Sequence, residues 1–256
     1  MAELSRRVLR ELGDLSGRRA LVAGGAGHLG RACVEALSEL GAAVLVADRQ
    51  GGPETIRTDL ADEPAARQAI REAAERHGGL DVLIHCAALV GQEDLPGWSV
   101  PFAEQTVEAW DAALRVNLTS AFVLVHEARD ALAASGHGSV VFFGSIYGLV
   151  GPDFGLYEST GMGNPAAYGA SKGGLVQLVR YLATALAPRV RVNAISPGGV
   201  ERGQPAEFLD RYRSRTPLGR MGTEEDVKGA VAYLASDLSA YVTGQNLVID
   251  GGWTAW

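Results

Sequence analysis

The chain has 256 residues, 47% of them apolar, and a formal net charge of −7, which suits one well-packed globular core. That acidic balance lacks the basic excess of a nucleic-acid binder, and no apolar run reaches the length of a membrane span, so neither partner is expected. Cys33 and Cys86 stand far apart, and the histidines form no ligand pair at helical spacing; no metal site and a reducing, cytoplasmic setting are expected.

In "MAELSRRVLRELGDLSGR", Leu4, Val8, Leu12 and Leu15 recur at helical spacing among charges, which predicts a short amphipathic helix rather than a secretion signal. A first strand is predicted over 19–24, then a glycine turn and a helix from about Gly30 to Leu40, stopped by Gly41. Strands over 42–48 and within "ETIRTDL" come next, followed by a helix from near Asp62 and Pro64 to Gly78 and Gly79. "DVLIHCAA", a long helix within 104–134, "SVVFFGS" (139–145), a helix within 165–187, "VRVNAIS" (190–196) and "QNLVID" (245–250) complete the series. This alternation predicts an α/β, Rossmann-type fold: a doubly wound, mostly parallel seven-stranded sheet with helices on both faces, in one domain over 1–256.

Gly25, Gly27 and Gly30 spell G-x-G-x-x-G between the first strand and its helix, and the turn can also be read from Gly24. Without a Cβ the backbone turns tightly and can approach a dinucleotide's diphosphate at the helix N-terminus, beside His28 and Leu29. Asp48 ends the second strand, where a carboxylate accepts hydrogen bonds from a ribose diol and repels a 2′-phosphate; this favours NAD over NADP. Arg49 beside it pulls the other way, since an arginine can grip that phosphate.

"YGASK", from Tyr168 to Lys172, is Y-x-x-x-K at the start of a predicted helix. A free tyrosine is a poor base near neutrality, and a lysine one helical turn away favours its phenolate. With Ser145 closing "FFGS", Asn117 in "WDAALRVNLTSAF", "SPGGV" at 196–200, "TPLGRMGTEEDV" and "YVTGQNLVIDGG", the chain resembles the short-chain dehydrogenase/reductase family, single-domain type, from about Leu15 to Gly252. The resemblance implies that Tyr168 is the acid/base, that Lys172 also holds the nicotinamide ribose, and that Ser145 hydrogen-bonds the substrate oxygen. Asn117 would hold a water linking Lys172 to solvent. Pro197, Gly198 and Val200 would cover the nicotinamide, Asp59 and Leu60 would meet the adenine, and Cys86, Ala87 and Ala88 would line the adenosine side. For Asp59 the alternative is a cap of the following helix.

Three departures from the family pattern stand out. Ala23 replaces a common threonine that braces the turn. The glycine spacing with His28 resembles the extended subclass, although the chain is too short for that subclass's added C-terminal domain. Ser145 and Tyr168 are also farther apart than is typical, and the surplus forms an active-site insert at 149–164. Its Tyr157, Glu158 and Met162, with Tyr147, Gly199 and Arg202, are expected to contact a polar, sugar-derived substrate; an interface loop is the alternative. The substrate lid, 201–220, carries Arg202, Arg211, Arg213, Arg215 and Arg220, either as an anion grip or as a solvated face. The insert and the ending "DGGWTAW" are similar to dehydrogenases of nonulosonic-acid sugar pathways. Trp253 and Trp256, with the two long helices, predict a homotetramer. An epimerase-like enzyme using NAD transiently, and a non-catalytic nucleotide-sensing protein, are the competing functions.

Overall fold

The computed structural model describes residues 7–91 and 95–256. Alternate residues of a strand face opposite sides, and here both sides are apolar. Leu21 of β1 (Arg19–Ala23) and Leu83 of β4 (Val82–His85) join one core with Leu124 of α5 (Ser120–Ala134) and Leu175 of α6 (Ala166–Ala185). Their neighbours Val22 and Ile84 join another with Cys33 of α2 (His28–Glu39) and Val231 of α8 (Lys228–Ala235). A sheet covered on both faces in this way suits parallel pairing.

With β2 (Ala43–Asp48), β3 (Thr55–Arg57), β5 (Gly138–Phe143), β6 (Val190–Pro197) and β7 (Asn246–Ile249), the seven strands run in the order β3-β2-β1-β4-β5-β6-β7. Every pairing is parallel, where the sequence predicts mostly parallel. The parallel β6–β7 pair needs a crossover, which is supplied by α7 (Ala206–Arg215) and α8. The chain winds outward from β1 to β3 and then returns to β4 on the other side of β1. A crevice is therefore left at the carboxyl ends of β1 and β4.

Local chemistry sets the element ends. Helix α3 (Glu63–His77) starts at Asp62, whose carboxylate accepts from Ala65 N at 3.4 Å, and stops at left-handed Gly78. Asp59 is thus not the cap; it accepts from Ala61 N at 2.9 Å. The helix expected within 104–134 is two helices, α4 (Val107–Leu114) and α5, joined by a π-helical turn, Arg115–Thr119. At the N-terminus, α1 (Leu9–Gly13) buries no residue, and the chain is anchored past it by Leu15, 1% exposed. Of the expected apolar stripe, Val8 is exposed and Leu12 half-buried, and Leu4 lies outside the described residues. No described helix is long and apolar enough to cross a membrane.

Candidate active site

A cavity of about 890 Å³ opens at the carboxyl ends of the central strands. Its first wall is the glycine turn. Gly24 has φ of 84°, and a Cβ there would stand 2.4 Å from Ala87 N. A Cβ on Gly30 would stand 2.1 Å from Gly24 O, so turn and helix touch backbone to backbone. Gly25 packs behind the turn against Val46 instead of lining the cavity. Gly27 is the N-cap of α2, which has neither a side-chain cap nor an acid in its first turn. Its first N–H groups therefore suit an anion such as a diphosphate. Cys86 donates from Sγ to the carbonyls of Ala23 at 3.2 Å and Gly24 at 3.5 Å. The brace lost with Ala23 is thus replaced from β4's end.

Asp48 accepts from Ala26 N at 3.1 Å and Gln50 N at 3.2 Å, which fixes its carboxylate at the cavity edge beside Arg49. His28, Leu29, Asp59, Leu60, Ala87 and Ala88 line the same end. So does Thr58, a buried residue that the sequence did not single out.

The opposite end holds Ser145, Tyr168 and Lys172. Ser145 follows β5, and its Oγ accepts from Tyr147 N at 3.2 Å. Burial raises the Tyr168 phenol above its ordinary value, against opposing pulls from a Ser145 hydrogen bond and the Arg202 charge. Lys172 Nζ donates to Phe143 O at 2.7 Å and stands 5.7 Å from the centre of the Tyr168 ring. Burial brings the Lys172 ammonium down to about 8 from an ordinary 10.5. Between those values the unfolded chain holds more of this proton than the fold does, so stability gains with rising pH across that window. Denaturant midpoints measured from pH 8 to 10 should show this slope, at most about 1.4 kcal/mol per pH unit, and Lys172→Met should flatten it. An equal slope in both proteins would refute the assignment.

Asn117 lies in the π-helical turn and is fully buried. Its Oδ1 accepts from Leu89 N at 2.7 Å, while Nδ2 donates to Leu89 O at 3.3 Å and Ser171 Oγ at 3.0 Å. The side chain knits the segment after β4 to α6 and does not line the cavity. Beneath it, buried His85 has Nε2 2.7 Å from Ser120 Oγ, and that hydroxyl donates to Val116 O at 2.7 Å. The hydroxyl's proton is therefore spent, and the network assigns Nε2–H as the donor to it. Burial, then the Lys172 charge, lower His85 to about 3, so it is neutral at physiological pH.

The third wall comes from the insert and lid. Tyr157 OH lies 2.8 Å from Tyr147 OH and accepts from Asn164 Nδ2 at 3.2 Å. Tyr157 packs on Phe208, Phe208 on Tyr212, and Tyr212 stacks on Trp253 with centroids 6.0 Å apart. Tyr147, Tyr157 and Met162 line the cavity; Glu158 does not, its carbonyl instead accepting from Arg211. Trp253, expected at an interface, is covered within the chain, whereas Trp256 is 81% exposed. Phe208 and Tyr212 were signalled only by their i, i+4 spacing in a charged segment. Tyr212 OH accepts from Gly199 N at 2.5 Å and so holds the turn that Pro197, Gly198, Gly199 and Val200 present to the cavity.

Lid arginines are engaged within the chain. Arg211 meets carbonyls of the insert, Arg215 pairs with Asp153, Arg213 with Glu201, Arg220 with Asp226 and Arg202 with Glu224. Among them only Arg202 lines the cavity, so it alone of the five is placed to meet an anion there.

A dinucleotide-binding turn and a Ser–Tyr–Lys set at two ends of one cavity define a nucleotide-dependent oxidoreductase architecture, and comparison with known proteins agrees. Residues 24–254 match the family described as enoyl-(acyl carrier protein) reductase. The chain is 33% identical to cis-4-hydroxycyclohexanecarboxylate dehydrogenase of Sinomonas cyclohexanicum, over 93% of this chain and 97% of the relative. A short-chain dehydrogenase from Leptospira borgpetersenii with bound NAD+ has a TM-score of 0.85 at 31% identity, covering 99% of this chain and 98% of that one. A gluconate 5-dehydrogenase from Burkholderia cenocepacia, in complex with NADP and tartrate, has a TM-score of 0.84 at 27% identity, covering 97% and 100%. The chain belongs to the short-chain dehydrogenase/reductase family. It is an NAD(P)-dependent enzyme acting on alcohol or ketone small molecules.

Proposed function

We propose that the enzyme uses NAD(H) to interconvert a secondary alcohol and a ketone on a hydroxylated, sugar-derived small molecule. The observation that carries this reading is the single cavity joining the glycine turn and Asp48 to Ser145, Tyr168 and Lys172. A bound nicotinamide supplies or accepts the hydride. Tyr168 gives a proton to the carbonyl oxygen during reduction and takes it back during oxidation. Ser145 donates a hydrogen bond to that same oxygen, and the Lys172 charge favours the phenolate form of Tyr168. The paired hydroxyls of Tyr147 and Tyr157 beside aromatic faces suit a ring that carries hydroxyls on its edge.

Asp48 is the basis for preferring NAD, and the relatives bind either cofactor. A screen of sugars, polyols, sugar phosphates and nucleotide sugars with NAD and NADP, followed by cofactor absorbance, tests the reading. Higher efficiency with NADP(H) would reverse the cofactor choice. Conversion without net absorbance change would favour the epimerase-like alternative, and cofactor binding without any conversion would favour a nucleotide sensor.

We further propose a homotetramer in a reducing, cytoplasmic setting, the latter on the free thiols of Cys33 and Cys86. The assembly rests on the exposed apolar side chains Phe122 of α5 and Tyr181 of α6, 45% and 65% exposed. Light scattering should return a mass near four chains; a monomer at micromolar concentration would end this proposal.

A further inference from the structure

The feature that the proposed chemistry leaves unused is the ion pair at the cavity's rim. Val200 bridges Gly222 in parallel, with Glu201 N donating to Gly222 O at 2.9 Å and Gly222 N to Gly199 O at 2.9 Å. This short ladder sets Arg202 and Glu224, two residues beyond the bridge on each side, next to one another. Arg202 Nε donates to Glu224 Oε1 at 2.9 Å, and its backbone N–H is held by Gln204 Oε1 at 2.7 Å. The same carboxylate oxygen lies 3.9 Å from Nδ1 of His28. His28 opens α2, the helix whose uncapped start faces the cavity.

These contacts locate Arg202 along the cavity. At one side is the helix start that suits a diphosphate; at the other is Tyr168, which the Arg202 charge reaches. A cation between those points would meet the diphosphate of a dinucleotide that ran along the cavity from the glycine turn to Tyr168. We propose that Arg202 is a diphosphate-binding residue of the cofactor site and that Glu224 is its place-holder, exchanged for phosphate oxygens when a dinucleotide enters. This rests on the dinucleotide-dependent reading above and assigns to the cofactor a residue that the sequence suggested for the substrate.

Physical chemistry favours the exchange. Side chains of Arg202 and Glu224 are 32% and 35% exposed, where an ion pair contributes little and is readily opened. Glu224 engages the guanidinium through one oxygen, whereas a diphosphate offers paired oxygens and twice the carboxylate's charge in total. Burial, the largest single influence, works to raise the Glu224 carboxyl, but the Arg202 hydrogen bond, a backbone hydrogen bond and the charges of Arg202 and His28 together hold the group below its ordinary value. Glu224 is therefore an anion at neutral pH and competes with, rather than assists, an incoming diphosphate.

That competition gives the two partners of one ion pair opposite effects, which a merely structural strut would not. NADH and ADP-ribose are to be titrated into the parent protein, Arg202→Gln, Arg202→Lys and Glu224→Gln by calorimetry, with NADPH titrated into the parent as well and unfolding temperature recorded for each. Arg202→Gln should raise both Kd values about tenfold, the worth of one charge-assisted hydrogen bond, and Arg202→Lys should restore part of the loss. Glu224→Gln should lower both Kd values several-fold. An unchanged Kd in Arg202→Gln, or weakening in Glu224→Gln matching that in Arg202→Gln, would overturn the proposal. A parent protein that binds neither NADH nor NADPH would remove the dinucleotide reading itself, and this inference with it.

Discussion

Tyr168→Phe is expected to lower kcat about a thousandfold on the alcohol identified by the screen, while the folded protein still binds NADH. Phenylalanine keeps the ring that packs against the buried cluster of Trp98, Ala109, Ala113 and Ala167. What disappears is the hydroxyl, the group that Ser145 and the Arg202 charge act upon. Ser145 can still hydrogen-bond the substrate oxygen, so residual turnover should persist rather than vanish. Steady-state kinetics with matched NADH titrations would separate the chemistry from binding. A kcat within tenfold of the parent's would show that another group moves the proton.

Gly30→Ala should be the most damaging single methyl group that can be added to this protein's cofactor turn. The new Cβ would lie 2.1 Å from Gly24 O and 2.7 Å from Gly25 Cα, both backbone atoms that no rotamer change can clear. The turn must open, at a cost of roughly 1–3 kcal/mol or more, and the α2 start then leaves its place beside Gly27. Loss of measurable NADH binding and a marked fall in unfolding temperature are expected. Gly151→Ala is the matched control, because nothing lies within 4 Å of its Cβ. Equal behaviour of the two variants would refute the close backbone approach.

Much of this architecture is legible in the chain because its signals are local. Apart from the three-residue β3, each strand is an apolar run bounded by turn residues, and the glycine turn is read within ten positions of β1. Asp48 follows from the length of one strand–helix–strand unit. Features decided by distant partners were out of reach. "RVNLT" reads as uninterrupted helix, yet Asn117 makes its side-chain bonds to Leu89 and Ser171, far along the chain. The helix start near Asp62 and Pro64 is within reach, but the sequence leaves Asp59 open as a cap, and only the structure shows that it accepts from Ala61 N instead. An irregular insert has no period from which to decide that Tyr157 turns inward and Glu158 outward; tethers from α7 settle that. Charge counting likewise reveals five lid arginines but not the carboxylates and carbonyls that occupy them.

Those tethers matter for anyone wishing to redesign the enzyme. Arg211 holds the carbonyls of Gly155, Leu156 and Glu158 across 53 to 56 positions, and Arg215 holds Asp153. Insert and lid helix are thus one mechanical part encoded in two separate places. Grafting residues 149–164 alone onto a short-looped relative would deliver a loop whose carbonyls and Asp153 have lost their arginines. Its tyrosine would then arrive without an orientation. A chimera that transfers the pocket has to carry α7 in the same cassette, and libraries that vary one segment while fixing the other will sample mostly unsupported loops.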